Sequence, residues 1–222
     1  GATFDNTARR LSSYAARQGK GNMLVVSGDD AAGQAGRSAI QNAAAATSAT
    51  VVGSVSYELS QQGVINSVQT IRNSASANGA TSIFMTATTA GALPLLTQLL
   101  PEAGLDPATT QYIGLTRWDI PSQTLSLPGV QGGWFALPDP AKSNQFSSRY
   151  SATYGGAPHP ISGLAYDGIA AIGALVGAGK SDALTGAALT QGAGFQGVSG
   201  IFRLRPDGTN DRGMAVATIQ EQ

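Results

Sequence analysis

In the first half of the chain, short apolar runs repeatedly end in a polar loop that opens a helical pattern. This alternation restricts the fold more than any other feature. Its clearest copy is residues 22–36, NMLVVSGDDAAGQAG. Residues 23–26 are apolar and partly β-branched, too short for a helix and bounded by polar residues and glycine, which predicts a buried strand. Ser27, Gly28, Asp29 and Asp30 form a turn cluster, and an alanine-rich helix is expected over 31–46. The unit recurs. A strand at 51–55 leaves Tyr57 at its exit, and Val64, Ile65, Val68 and Ile71 then recur at helical spacing until Gly79. A strand at 82–85 leaves Thr86, Thr88 and Thr89 in the next loop, followed by a helix at 93–100 stopped by Pro101 and Gly104. A strand at 111–115 is followed by Thr116, Arg117, Trp118 and Asp119. A helix over 8–17, with Leu11, Tyr14 and Ala15 on one face and Asp5 or Asn6 as its cap, precedes them all. Alternating strands and helices imply an α/β fold with a parallel sheet and right-handed crossovers. In such sheets ligands sit just past the carboxyl ends of the strands. The row of loops after the strands is therefore the expected functional surface.

After Ile120 the pattern changes. Residues 121–133 form a long polar connection. An apolar segment at 134–137 is closed by Pro138-Asp139-Pro140, read as a hinge or domain crossing. Helices are expected at 144–154, 162–177 and 181–190. Strands are expected at 201–204 and 215–219, paired as a hairpin around Pro206-Asp207-Gly208.

Composition narrows the chemistry. The 222 residues carry zero formal net charge and only 12% charged side chains. That argues against a basic nucleic-acid face and against polybasic recruitment to a membrane. Cysteine is absent, so disulfides, thiol nucleophiles and cysteine-held metals are excluded. His159 is the single histidine and the carboxylates are scattered, which argues against a metal site. No apolar run approaches the roughly 20 residues of a membrane span. With no leader recognised, the sequence reads either as cytosolic or as a mature or truncated exported chain, and no direct membrane insertion of this stretch is expected.

Enzymatic patterns fail one by one. Gly177-Ala178-Gly179-Lys180-Ser181 suggests a phosphate loop, but the full pattern needs glycine where Ala174 stands and a strand where a helix is expected. Ser199 lacks the spacing of a nucleophile elbow. No close carboxylate pair suggests acid–base work. The chain is read as a non-enzyme without cofactors.

The order of elements resembles the type I periplasmic solute-binding proteins, the Leu/Ile/Val-binding-like family. Gly28-Asp29-Asp30-Ala31-Ala32-Gly33-Gln34 is similar to that family's strand–Asp–glycine–helix turn, and Ser56-Tyr57 to its tyrosine after the second strand. Ala165-Tyr166-Asp167-Gly168 resembles its aromatic–Asp–Ala helix. Phe195-Gln196-Gly197-Val198-Ser199-Gly200 with Pro206-Asp207-Gly208 resembles its late glycine-rich stretch. The resemblance covers the family's second half. It implies one lobe of the fold over residues 7–133, a hinge and helices of an incomplete first lobe over 134–198, and C-terminal strands over 199–222 that return to the sheet. Apolar surface of the 162–176 helix would then need a partner.

The resemblance further implies a periplasmic location and capture of a small ligand between two lobes for an ABC transporter. The expected wall is Asp29, Tyr57, Thr86, Thr88, Thr89, Arg117 and Trp118. Three family pocket positions depart: Ala32 and the stretch near Thr89 lack the family's aromatics, and Thr116–Arg117 stand where an acid would pair with a ligand ammonium. A cleft presenting Arg117 where an acid is expected would favour an anionic group, so the ligand is expected to be small and polar or anionic. Trp118 would stack on it or plug the sheet edge, Asp29 and Asp30 would bind it or cap a helix, and Tyr57 would reach it or lie buried. An alternative comes from Ser199–Gly208 with Arg212-Gly213, which is similar to lipoprotein activators of penicillin-binding proteins. That similarity implies a lipid-anchored regulator that acts by contact with a peptidoglycan synthase.

Overall fold

The computed structural model describes residues 3–159 and 161–220. In chain order the elements are α1 (Phe4–Arg17), β1 (Asn22–Gly28), α2 (Ala31–Ala45), β2 (Thr50–Tyr57), α3 (Gln61–Ala77), β3 (Ser82–Met85), α4 (Leu93–Glu102) and β4 (Gln111–Gly114). After two short 3-10 turns come β5 (Trp134–Leu137), α5 (Pro140–Tyr154), α6 (Ser162–Gly177), α7 (Gly186–Leu189), β6 (Phe195–Gly197), β7 (Gly200–Leu204), β8 (Asn210–Arg212) and β9 (Ala215–Thr218). The chain divides into two compact units. The larger holds Thr7–Ala136 with the described part of Val216–Gln222, and the smaller holds Leu137–Ala215 with the described residues before Thr7.

The larger unit is built on a six-stranded sheet in the order β2-β1-β3-β4-β5-β9. The first four pairings are parallel, with Val25 beside Phe84 and Phe84 beside Ile113. Its apolar runs are its core: Leu24, Val26, Ile83, Phe84, Met85 and Ile113 are fully buried. That burial explains why these strands read as continuous apolar segments rather than alternating ones. Two strand-to-helix turns use one device. Asp30 caps α2 by accepting from Gly33 N at 2.8 Å, and Ser60 caps α3 by accepting from Gly63 N at 2.9 Å. Each glycine lets the first helical turn press on the strand end. A Cβ at Gly33 would lie 1.9 Å from the Gly28 carbonyl oxygen, and one at Gly63 would lie 2.3 Å from that of Glu58.

The smaller unit packs α6 and α7 against an antiparallel sheet β6-β7-β8. Ala171, Leu175, Ala183, Ala188, Phe195 and Phe202 form its core. Asp167 is buried at the centre of a clasp. Its carboxylate accepts from Val198 N at 2.8 Å and from Arg212 Nη1 at 3.0 Å, and the Arg212 guanidinium lies 5.0 Å from the Phe202 ring centroid.

Several expectations are corrected. Thr3 caps α1, accepting from Asn6 N at 3.2 Å, so Asp5 and Asn6 lie inside the helix. The helix expected at 181–190 shrinks to the single turn of α7, where the Thr185 side chain accepts from Ala188 N. The hairpin closes sooner than expected, because Asp207 Oδ1 accepts from Thr209 N at 2.9 Å and from Thr209 Oγ1 at 2.6 Å. Gly208, at φ +84°, completes the turn. Asn210–Arg212 therefore pairs with Gly200–Leu204, and of the stretch 199–222 only β9 joins the six-stranded sheet.

Candidate functional site

Strand order decides where a site belongs. The chain runs outward from β1 to β2, then returns past β1 to β3 and β4. With right-handed crossovers the helices after β1 and β3 leave on opposite faces, which opens a crevice at the carboxyl ends of these two strands. α3 and α4 pack side by side, as this requires. The loops at the crevice are 28–31 and 86–92.

Backbone hydrogen bonds fix both loops. Asp29 N donates to the Tyr57 carbonyl at 2.8 Å, and Gly28 N donates to Thr86 Oγ1 at 3.3 Å. Thr86 is thus used as an internal brace. Thr89 Oγ1 donates to the Ile120 carbonyl at 2.7 Å and Thr116 Oγ1 to the Ala87 carbonyl at 3.2 Å, tying the loop after β3 to that after β4. The Asp29 carboxylate and the Thr88 hydroxyl have no hydrogen-bond partner among the described residues, and both residues are exposed. Tyr57 is buried, only 4% exposed. Burial first, and the nearby Asp30 carboxylate second, push its phenol up to about 12, so it is a neutral donor at physiological pH.

Arg117 and Asp119 form a fork. Nε donates to Oδ1 and Nη2 to Oδ2, each at 2.7 Å. The guanidinium holds the Asp119 carboxyl below the usual carboxylate range. Trp118 points inward and is fully buried. Its indole fills a slot made by two glycines: a Cβ at Gly114 would lie 2.1 Å from Nε1, and one at Gly133 would lie 2.4 Å from Cζ3.

A family model described as periplasmic binding protein matches residues 1–222. The chain belongs to the periplasmic binding protein family. No curated protein matches its sequence. Among solved structures it is similar to a branched-chain amino acid ABC transporter periplasmic ligand-binding protein from Burkholderia xenovorans. There the TM-score is 0.73 and the identity 21%, covering 99% of this chain and 59% of the other. A putative branched-chain amino acid ABC transporter protein from Rhodospirillum rubrum gives a TM-score of 0.75 at 17% identity, covering 100% and 64%. An ABC transporter substrate-binding protein from Desulfitobacterium hafniense in complex with Leu gives 0.66 at 20%, covering 99% and 64%. The chain thus spans less than two thirds of these structures, and they bear out the type I fold, an α/β lobe with a mostly parallel sheet.

In this periplasmic binding protein the strand ends bring Asp29, Thr86, Thr88, Thr89 and Arg117 to one edge of the larger unit, but not as free groups alike. Trp118 is a core plug, so its stacking role is corrected: the slot between Gly114 and Gly133 gives the indole more contact than solvent could. Arg117 is not a free cation, because it is paired with Asp119, which weakens the anion preference expected of it. Of the two neighbouring aspartates, Asp30 is the cap and Asp29 is left outward. Asp119, outside the expected wall, is the partner of Arg117. Its signal was its place two residues after Arg117, which suits a carboxylate folding back on a guanidinium. Among the described residues no group of three acidic or histidine side chains could hold a metal, and no helix is long and apolar enough to cross a membrane. His159 sits in a loop, accepting from Ile161 N through Nδ1 at 3.3 Å.

Proposed function

We propose that this chain is the ligand-capturing component of an ABC uptake system, working in the periplasm on an amino-acid-type or related small polar ligand. The carrying observation is the β1/β3 reversal, where the Asp29 carboxylate and Thr88 hydroxyl stand without internal partners beside braced loops. Polar groups left unsatisfied on a rigid frame suit a ligand that brings its own hydrogen bonds. The partly exposed Arg117–Asp119 fork offers both signs of charge, which suits a zwitterion better than a simple anion. Family membership supports the same reading. The regulator alternative rests on residues 199–208 with Arg212-Gly213, and nothing in the fold or the similar structures adds to it.

A thermal-shift screen of the 222-residue chain against amino acids, dicarboxylates and small peptides tests the proposal. A ligand at about 100 times its Kd should add about 2.7 kcal/mol of stability, read as a rise in Tm of several degrees for one ligand class. A flat response across all classes would count against ligand capture.

We also propose that α5 and α6 belong to the first lobe of the family fold, with their outer faces seated on a second sheet. No residue of α5 is fully buried, and α6 leaves Ile169 at 74% and Val176 at 57% exposed. A helix this apolar is normally covered. Ile169→Lys with Val176→Lys should abolish binding of an apolar dye by the 222-residue chain without lowering its stability by more than about 0.5 kcal/mol. A large stability loss would show that the face is already packed.

A further inference from the structure

Beside the polar crevice the larger unit holds a cavity of about 340 Å³. It lies at the N-terminal turns of α3 and α4, walled by Tyr57, Leu59, Val64, Gly91, Ala92 and Leu95, with Ser60 and Gln61 at its edge. The walls are mainly apolar. An apolar cavity of about 150 Å³ already accepts a benzene ring, so this one has room for a ring and a short linker. Leu59, one of its walls, is 56% exposed although it sits in the loop after a strand.

Two of its walls, Leu59 and Tyr57, meet Asp30 around Gly28. The point where a Gly28 Cβ would stand lies 3.0 Å from Leu59 Cδ2, 3.4 Å from Asp30 Oδ1 and 3.6 Å from Tyr57 Oη. Tyr57 is more than nine-tenths buried, and its hydroxyl has no hydrogen-bond partner among the described residues. Asp30 uses Oδ1 as a helix cap and leaves Oδ2 unused. Asp29 and Glu58 flank these groups in the chain, and none of the three carboxylates has an ion-pair partner among the described residues. Two helix N-termini favour an anion in principle, but their first turns are largely consumed: Gly63 N by Ser60, Leu93 N by the Thr88 carbonyl, and Pro94 has no N–H. The local balance is negative.

We propose that this cavity takes the apolar tail of a small organic ammonium ion, aryl or branched alkyl, whose charged head donates to Asp30 Oδ2 and to the Tyr57 hydroxyl oxygen. This rests on the reading of the strand ends as a ligand site and narrows the ligand to amphiphilic amines. A neutral phenol beside a carboxylate suits an ammonium, because both oxygens accept and neither is displaced from an internal bond. The tail gains by leaving water, and Leu59 becomes covered.

The test is an NMR titration of the ¹⁵N-labelled 222-residue chain with 2-phenylethylammonium, and separately with 3-phenylpropanoate, which has a similar shape and opposite charge. Saturable shifts are expected at the Leu59, Gln61, Gly91 and Leu95 amides with the cation. The anion should bind at least about 10-fold more weakly, as reversing the sign beside a partly shielded carboxylate implies. Leu95→Trp, which fills the cavity, should abolish the shifts. Asp30→Asn keeps the helix cap while removing the charge, and should weaken the cation about 3- to 10-fold. Absence of shifts at these amides, equal response to the anion, or indifference to Asp30→Asn would overturn the proposal. If an amino acid still stabilises the chain in the thermal screen after such a result, the inference falls alone; if nothing does, the ligand-capture reading falls with it.

Discussion

Replacing Trp118 with alanine is expected to destabilise the larger unit by about 3–5 kcal/mol, the range for deleting a large buried aromatic. The indole has no exposed surface, and its ring edge is received by Gly114 on β4 and by Gly133 just before β5. Removing it leaves a void across the strand ends that rigid backbone on both sides cannot close. Its Nε1 has no hydrogen-bond partner among the described residues, so the whole loss is one of packing, and Trp118→Phe should recover a large part of it. The reverse experiment acts on the slot. Gly114→Val places its first added carbon 2.1 Å from Nε1, and the strand and the indole cannot both stay in place. That variant is expected not to fold. Urea denaturation followed by circular dichroism reads both. A loss below about 0.5 kcal/mol for Trp118→Ala, the level of an ordinary surface change, would mean that the indole is not part of the core and would restore it as a ligand contact.

Removing the carboxylate of Asp167 should have a similar effect on the smaller unit. Asp167→Ala strands the Arg212 guanidinium, whose side chain is only 14% exposed, and orphans Val198 N. Breaking one partner of such a buried pair costs about 3–5 kcal/mol. Asp167→Asn keeps an acceptor for Val198 N and should cost less, which separates the charge from the hydrogen bond. Gly197→Ala reaches the same clasp from the other side, since its Cβ would lie 2.8 Å from Asp167 Oδ2 and 2.8 Å from Phe202 Cδ1. Faster amide exchange across β6, β7 and α6, with β1 and β3 unchanged, is the expected signature. Unchanged protection in the smaller unit would show that its apolar core alone holds it.

The strands of the larger unit were legible because both sheet faces are covered, so residues 23–26 and 82–85 are apolar without interruption. Their turns were legible because Asp30 and Gly33 announce a cap and a close backbone approach in one short stretch. Trp118 was not legible: loop position suggested a ligand contact, while the glycines that receive it lie at 114 and 133. Arg117 was half legible: a guanidinium's charge is visible in sequence and its fork with Asp119 is not. The clasp joins residues 167, 198 and 212, a separation no local pattern bridges. The hairpin was half legible: Pro206-Asp207-Gly208 marks the turn, but only Thr209 bonding back to Asp207 decides which strand returns. The cavity beside α3 and α4 left almost no trace, since Leu59 is one apolar residue in a polar loop.

The claim on which the rest depends is that the crevice where β1 and β3 part is the ligand-binding edge. It is tested most directly by calorimetric titration of the best-stabilising ligand into the wild-type chain and into a chain carrying Asp29→Ala with Thr88→Val. Neither side chain holds the fold together, so stability should stay within about 0.5 kcal/mol of wild type. Affinity should fall about 10-fold or more, the loss expected for two hydrogen bonds, one of them to a charged group. Unchanged affinity in a variant of unchanged stability would place the ligand elsewhere and contradict the account.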